Sequence, residues 1–591
     1  MSSAPRQPAP EGVVIEWEVP IPTDDGVTLR ADVYRPSAAG RYPVILSYGP
    51  YGKGLAFQEG YEAQWKYMVE RYPEVAAHTS NRYQNWEVVD PEKWVPDGYV
   101  CVRVDSRGAG RSPGHLDVWS PRETLDLYQC IEWAGVQAWS NGRVGLAGIS
   151  YYAMNQYQVA ALQPPHLFAI CPWEGASDFY REFSRHGGIL CQFPADWYPR
   201  QVENVQHGVG ERGFVSSMDG ELVAGPDTFD DPDLERNRAD LGFDVKSRPL
   251  FERWHFERNP DWDKVEVPML SAGNWGGHGL HLRGNVEAYV QAVTEHKWLE
   301  IHGEAHWVDF YTDRGVALQK QFFDHFLKGD DNGWDRRPPI QLRIRHVDGS
   351  VVDRFESEWP LARTAWTRYH LTGDQALSED SGINAGLEYD PEGDGITFTT
   401  EPFDTETEIT GPIAAKLFVS SETIDADIFL VMRLFDPDDR EVTFMGALDP
   451  NTPLAQGWLR ASHRELDAER SLPYRPYHTH TSRQPLAPGE IYELDVEIWP
   501  TSIVIPPGYR LGLTVRGHDY RYQGELTDFA KSFHYANRGV GPFVHDDPDD
   551  RPREVFGVTV TVHVGEGTDS WVQVPIVPSA ERGGHSVSSD V

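Results

Sequence analysis

The stretch RVGLAGISYYA (143–153) decides the fold. Its first seven residues are a nearly continuous apolar run, the pattern of a strand buried on both faces. After Ser150 the pattern becomes helical. A sharp strand-to-helix turn holds its central residue in a strained backbone conformation and needs small neighbours, here Gly148. Such a turn lifts the serine hydroxyl above the sheet. It also brings the Tyr151 N–H to a helix N-terminus, where it can donate to an oxyanion. The G-x-S-x-G pattern is incomplete, because Tyr152 stands at its last glycine. The competing reading of Ser150 is a plain helix cap; the strand before it and the helix after it favour a nucleophile.

Working outward, PVILSYG (43–49), GYVCVRVD (98–105), HLFAICPW (166–173), VPMLSAGNW (267–275) and KWLEIHGEAHW (297–307) repeat the buried-strand pattern. Helical segments separate most of them; one spans Pro121 to Trp133, with Ser120 as its N-cap. This alternation predicts an α/β domain with a mostly parallel sheet, over 13–180 and 263–335. VVIEWEVPIP and VTLRADVYRP flank Asp24-Asp25-Gly26 and predict a hairpin. Periodicity fails over 54–97, rich in Tyr and Trp, and over 181–262, read as an inserted cap. From 340 to 578 short alternating strands predict an all-β sandwich or jelly roll. Residues 1–12 read as a flexible arm and 579–591 as a disordered tail.

The formal net charge of −38 argues against nucleic-acid and anionic-membrane partners. Four cysteines in 591 residues, with no C-x-x-C spacing, suggest neither a disulfide framework nor a zinc or redox motif. No cofactor or metal is expected. No run of 18 apolar residues occurs, and the N-terminus lacks the apolar core of a secretory signal, so the expected location is the cytoplasm. Oligomeric state, including a homo-oligomer, is left open.

A serine hydroxyl needs a base. His306 follows a predicted strand, in the chain order that α/β-hydrolases require. His302 would lie within that strand, and His278 and His281 follow an earlier one.

Several stretches together resemble the cocaine esterase, α-amino acid ester hydrolase and X-Pro dipeptidyl-peptidase family. In the first half these are DDGVTLRADVYRP, YPVILSYGPYGKG, GYVCVRVDSRGAGRSPG, WSNGRVGLAGISYYA, PPHLFAI and ALQKQFFDHFLKG. In the second half, GWLRASHREL, LAPGEIYELDVEIWPTS and PPGYRLGLTVRG resemble the family's C-terminal jelly roll. The resemblance implies an α/β-hydrolase domain with a cap, and a serine hydrolase of carboxylic esters or amides. Its P-Y motif falls on Pro50-Tyr51, which makes the Tyr51 hydroxyl the second oxyanion donor beside the Tyr151 N–H. Its catalytic aspartate falls on Gly277, which cannot orient a histidine, and the motif around His306 is one residue short. The acid is therefore expected elsewhere. Glu174, directly after HLFAICPW, is first choice; Asp178 and Asp309 are alternatives, with Glu304 beside them. Asp178 also suits a helix cap, and Asp105 with Arg107 reads as structural.

The expected partner is a small ester, amide or short peptide, an Xaa-Pro dipeptide included. The alternative is a catalytically impaired ligand-binding protein with an incomplete triad. A carbohydrate-binding role for the jelly roll is disfavoured, since its aromatics form no obvious platform.

Overall fold

The computed structural model describes residues 9–525 and 539–578. The C-terminal tail over 579–591 and most of the N-terminal arm lie outside the described residues. Strands β1 (Val13–Pro22) and β2 (Thr28–Pro36) form the hairpin around Gly26. Next come β3 (Tyr42–Gly49), β4 (Val100–Asp105), β5 (Ser140–Ile149), β6 (Leu167–Trp173), β7 (Met269–Asn274) and β8 (Lys297–His302). From β4 to β8, through β3, β5, β6 and β7, neighbouring strands pair in parallel. Helices α1 (Pro121–Gly135), α2 (Tyr151–Ala160), α3 (Leu282–Gln291) and α4 (Asp313–Phe323) connect or follow these strands. Ser120 caps α1, accepting from Glu123 N–H, with Pro121 at the first helical position.

The sheet does not stop at β8. Strands β9 (Ile340–Arg345) and β10 (Val351–Glu356) extend it, β9 parallel to β8 and β10 antiparallel to β9. Residues 340–356, read from sequence as the opening of the β-sandwich, thus belong to the hydrolase sheet. The pairing with β8 places them there, while Ile340, Leu342 and Ile344 pack both on Trp275, Leu299 and Ile301 and on Val504 and Val577 of the β-domain, in one apolar cluster.

The C-terminal domain is an antiparallel β-sandwich. Its spine is Thr407–Ser421 against Tyr492–Ile505, and its core is aliphatic. Residues 181–262 contain short helices such as Phe193–Trp197 and Leu241–Ser247, and a small hairpin pairing Arg185–His186 with Ile189–Leu190. No βα unit interrupts this stretch.

Candidate active site

Ser150 sits between β5 and α2 with φ 56° and ψ −110°, a left-handed conformation that a non-glycine residue adopts only under constraint. The turn is crowded. A Cβ on Gly148 would lie 2.4 Å from Tyr152 Cβ and 3.1 Å from the Glu87 carbonyl oxygen. Tyr151 opens α2, where its N–H has no intrahelical acceptor. Its phenol donates to Glu123, and its ring stacks on Trp119 at 4.2 Å. Tyr51 lies edge-on to Tyr151 and Tyr152, with ring centroids 5.9 and 5.7 Å away. Burial first, and the nearby Glu87 second, push the Tyr51 phenol well above its ordinary range, so it keeps its proton and can donate.

The candidate base His306 and its partner Glu174 follow β8 and β6 of the same sheet. Glu174 directly follows β6 and its backbone N–H donates to Ala272 O in β7 at 2.7 Å. Its Oε2 lies 2.7 Å from His306 Nδ1, and its Oε1 lies 3.2 Å from both His302 Nε2 and Asn274 Nδ2. Burial opposes charge on Glu174, yet the two imidazoles overcome it and hold its carboxyl down at about 2. An ionised carboxylate only accepts, so His306 Nδ1 carries a hydrogen.

The other nitrogen, His306 Nε2, lies 3.0 Å from Glu87 Oε1. Among the described residues no hydrogen bond reaches the Ser150 hydroxyl, so Glu87 holds the nitrogen that a serine would use. Burial lowers His306, but Glu174 and Glu87 outweigh it and raise the imidazole to about 10. Burial lifts Glu87 to about 7 against the pull of His306. His302 is likewise bracketed, Nδ1 at 2.8 Å from Glu300 Oε2 and Nε2 facing Glu174. Buried acids and imidazoles therefore alternate from Glu300 through His302, Glu174 and His306 to Glu87.

The alternative acids face elsewhere. Asp178 accepts from Tyr180 and Arg181 N–H and pairs with Arg181 Nη1 at 2.6 Å, as a cap would. Asp309 faces Arg314 and Arg343, and Glu304 accepts from Tyr67. His281 stacks on His306 with centroids 5.0 Å apart, and His278 lies on Trp499. Asp105 accepts from Lys53 and Arg111 N–H, holding a loop.

Glu87 is the residue that sequence reasoning missed. It lies in the irregular 54–97 insertion, its φ is 63°, and its carbonyl accepts from Ile149 N–H at 3.0 Å. The available signal was a single carboxylate inside the apolar run NWEVV (85–89). Aromatics from that insertion and from the cap wall the site: Trp86 stacks on Tyr61 at 4.1 Å, and Trp197 on Trp119 at 5.4 Å.

A serine on a strained elbow, above a parallel sheet and beside a histidine–carboxylate pair, defines an α/β-hydrolase. Residues 25–308 match the X-Pro dipeptidyl-peptidase (S15 family) model, and 332–528 match the X-Pro dipeptidyl-peptidase C-terminal non-catalytic domain. A solved CocE/NonD family hydrolase from Staphylococcus aureus is 30% identical, covers 96% of this chain and 94% of its own, and superposes with a TM-score of 0.81. The cocaine esterase of a Rhodococcus species is 25% identical over 85% of this chain and 90% of its own. An α-amino acid ester hydrolase shares the fold, with a TM-score of 0.64 at 15% identity over 97% of this chain and 98% of that one. The chain belongs to the CocE/NonD and S15 family and is a serine hydrolase with a PepX-type C-terminal domain. Among the described residues, no helix is long and apolar enough to cross a membrane.

Proposed function

We propose that this hydrolase cleaves esters or amides of α-amino acids through an acyl-enzyme on Ser150. His306 is the base, Glu174 its acid partner, and Tyr51 Oη–H with Tyr151 N–H the oxyanion donors. Ser150 Oγ attacks the carbonyl carbon and its proton passes to His306 Nε2. Glu174 balances the imidazolium through Nδ1. The tetrahedral oxyanion accepts from Tyr51 and Tyr151; collapse sends the Nε2 proton to the leaving alkoxide or amine. Water then repeats the sequence on the acyl-enzyme. The 2.7 Å contact between Glu174 and His306 carries this reading, because it replaces the carboxylate that Gly277 cannot supply.

Glu87 supports the choice of acyl group. A general base must be neutral to accept a proton, and carboxyl groups facing both nitrogens favour the charged form of His306. A substrate ammonium paired with Glu87 withdraws that carboxylate from Nε2 and frees the base. In an α-aminoacyl group the amine is two bonds from the reacting carbon. In a dipeptidyl group it lies a residue further, up to ~3.3–3.6 Å more. A carboxylate touching the base suits the nearer amine, so the Xaa-Pro dipeptide becomes the second choice.

Ser150→Ala is expected to lose kcat by about 10³-fold or more, together with fluorophosphonate labelling, while circular dichroism is unchanged. Glu174→Gln should approach the ~10⁴-fold loss of a triad acid-to-amide change. Labelling that persists in Ser150→Ala removes the nucleophile assignment. Separately, α-aminoacyl esters should exceed their N-acetylated forms in kcat/KM by at least about tenfold, the worth of one charge-assisted contact of ~1.5 kcal/mol. Equal rates discard the amine reading and leave the hydrolase.

A further inference from the structure

Away from Ser150, the cap hairpin meets the β-domain at His186, Cys191 and His545. All three are at most 2% exposed. Their donor atoms lie within 4.8 Å of one another. None belongs to the hydrolytic machinery.

The surrounding hydrogen bonds set both ring tautomers. His186 Nε2 lies 3.2 Å from the Glu182 carbonyl oxygen. A carbonyl only accepts, so this nitrogen carries a hydrogen. His545 Nδ1 lies 2.8 Å from Asp519 Oδ1, and Asp519 Oδ2 accepts from the His545 backbone N–H at 2.7 Å. As a carboxylate Asp519 accepts on both oxygens, so His545 Nδ1 carries a hydrogen too. The two remaining nitrogens, His186 Nδ1 and His545 Nε2, face each other at 2.7 Å. Each then offers a lone pair to the other, and a positive centre must lie between them. A proton would satisfy the two nitrogens alone, with the Cys191 sulfur held by the Phe193 N–H. A soft cation satisfies all three donors.

The shell fits such an ion. Ile189, Phe429, Trp458 and Trp499 form one apolar cluster, with the His186 ring 4.7 Å from Trp458. Two imidazoles and a thiolate suit zinc-class metals rather than magnesium or calcium. Asp519 behind His545 and the carbonyl behind His186 are the acceptors that usually orient ligating histidines. Cys191 and Val544 also line an open cavity of about 590 Å³, which provides an entry route.

We propose that His186, Cys191 and His545 bind one divalent zinc-class ion that clamps the cap hairpin onto the β-domain. Metal–nitrogen bonds of ~2.0–2.1 Å in a tetrahedral site set the two nitrogens ~3.3 Å apart, so the rings part by ~0.6 Å. The thiol gives its proton to solvent as the sulfur–metal bond forms, and the fourth position is left for water.

The test uses the full chain, stripped with a chelator and titrated with Co²⁺, then Zn²⁺. The expected result is one ion per chain, a thiolate-to-cobalt charge-transfer band with tetrahedral d–d bands, displacement by Zn²⁺, and a higher Tm. Cys191→Ser should abolish the charge-transfer band. Asp519→Asn should weaken Co²⁺ binding by about 10–100-fold. No cobalt uptake by the folded chain overturns the proposal in favour of a shared proton, and a band that survives Cys191→Ser overturns it by placing the ion elsewhere. X-ray absorption at the zinc edge of the unmutated chain decides the matter independently of any variant's folding. Sulfur and nitrogen neighbours support the site, and an all-oxygen shell refutes it.

Discussion

Glu87 Oε1 occupies the face of His306 that would receive the Ser150 proton in the proposed mechanism. The sign of its effect on rate follows. A negative neighbour favours the imidazolium, so it raises the pH at which His306 becomes a competent base; the value of about 10 reflects Glu174 and Glu87 acting together. Glu87→Gln removes one of the two charges. The acidic limb of the kcat/KM profile for a neutral p-nitrophenyl ester should then move to lower pH by about one unit or more, corresponding to ~1.4 kcal/mol or more of lost imidazolium stabilisation. Activity at neutral pH toward that ester should rise, while KM for an α-aminoacyl ester should also rise. A pH–rate profile that does not move would make Glu87 a structural carboxylate. Residues at strand ends were readable from sequence: Ser150, Glu174 and His306 each follow an apolar run, and the structure brings Glu174 to His306. Glu87 was not readable, because its place depends on a positive φ and on one backbone bond to Ile149 within an aperiodic segment.

At the scale of elements, the turn between β7 and α3 explains why a glycine stands where the family resemblance puts the acid. Gly277 O accepts from the N–H groups of His281 and Leu282, closing a tight turn before α3. A Cβ at Gly277 would lie 3.0 Å from Asn274 O and 3.0 Å from Leu282 N. Next to it, Gly276 O accepts from Ala447 N–H of the β-domain, whose carbonyl accepts from His306 N–H at 2.8 Å. The turn is built around small residues, and the carboxylate that does reach His306 follows the neighbouring strand, β6. Gly277→Asp should therefore cost about 1–3 kcal/mol in urea unfolding, as overpacking does, and should not restore kcat to Glu174→Gln. Recovery in that double variant would show that the turn tolerates an acid. The same scale explains why residues 340–356 read as sandwich strands yet pair with the hydrolase sheet. A strand with one more deeply buried face alternates like a sandwich strand, and the parallel pairing of β9 with β8 is a non-local fact that periodicity does not carry.

Over the whole molecule, cap and β-domain are joined by buried charge. Asp550 Oδ1 accepts from Arg185 Nη1 of the cap hairpin at 2.7 Å, and its Oδ2 from Arg460 Nη2 at 2.9 Å and Leu190 N–H at 3.1 Å. Arg460 also grips Asp427 through two bonds of 2.8 and 2.9 Å. Burial alone would raise the Asp550 carboxyl, but Arg460 and Arg185 hold it well below the ordinary carboxylate range. A carboxyl depressed in the folded state contributes its stability above the unfolded value, ~3.9, and loses it as pH falls further toward the folded one. Asp550→Asn keeps the shape and removes the charge, leaving two buried guanidinium groups short of a partner. The expected cost is about 3–5 kcal/mol at neutral pH, the range for breaking a buried pair from one side. The gap between the two proteins should narrow below about pH 4, where Asp550 of the unfolded unmutated chain takes up a proton that the folded chain still excludes. Urea unfolding at neutral and acid pH measures both numbers. A gap that stays constant down to pH 3 would mean that Asp550 acts through packing, and that charge does not hold the cap to the β-domain.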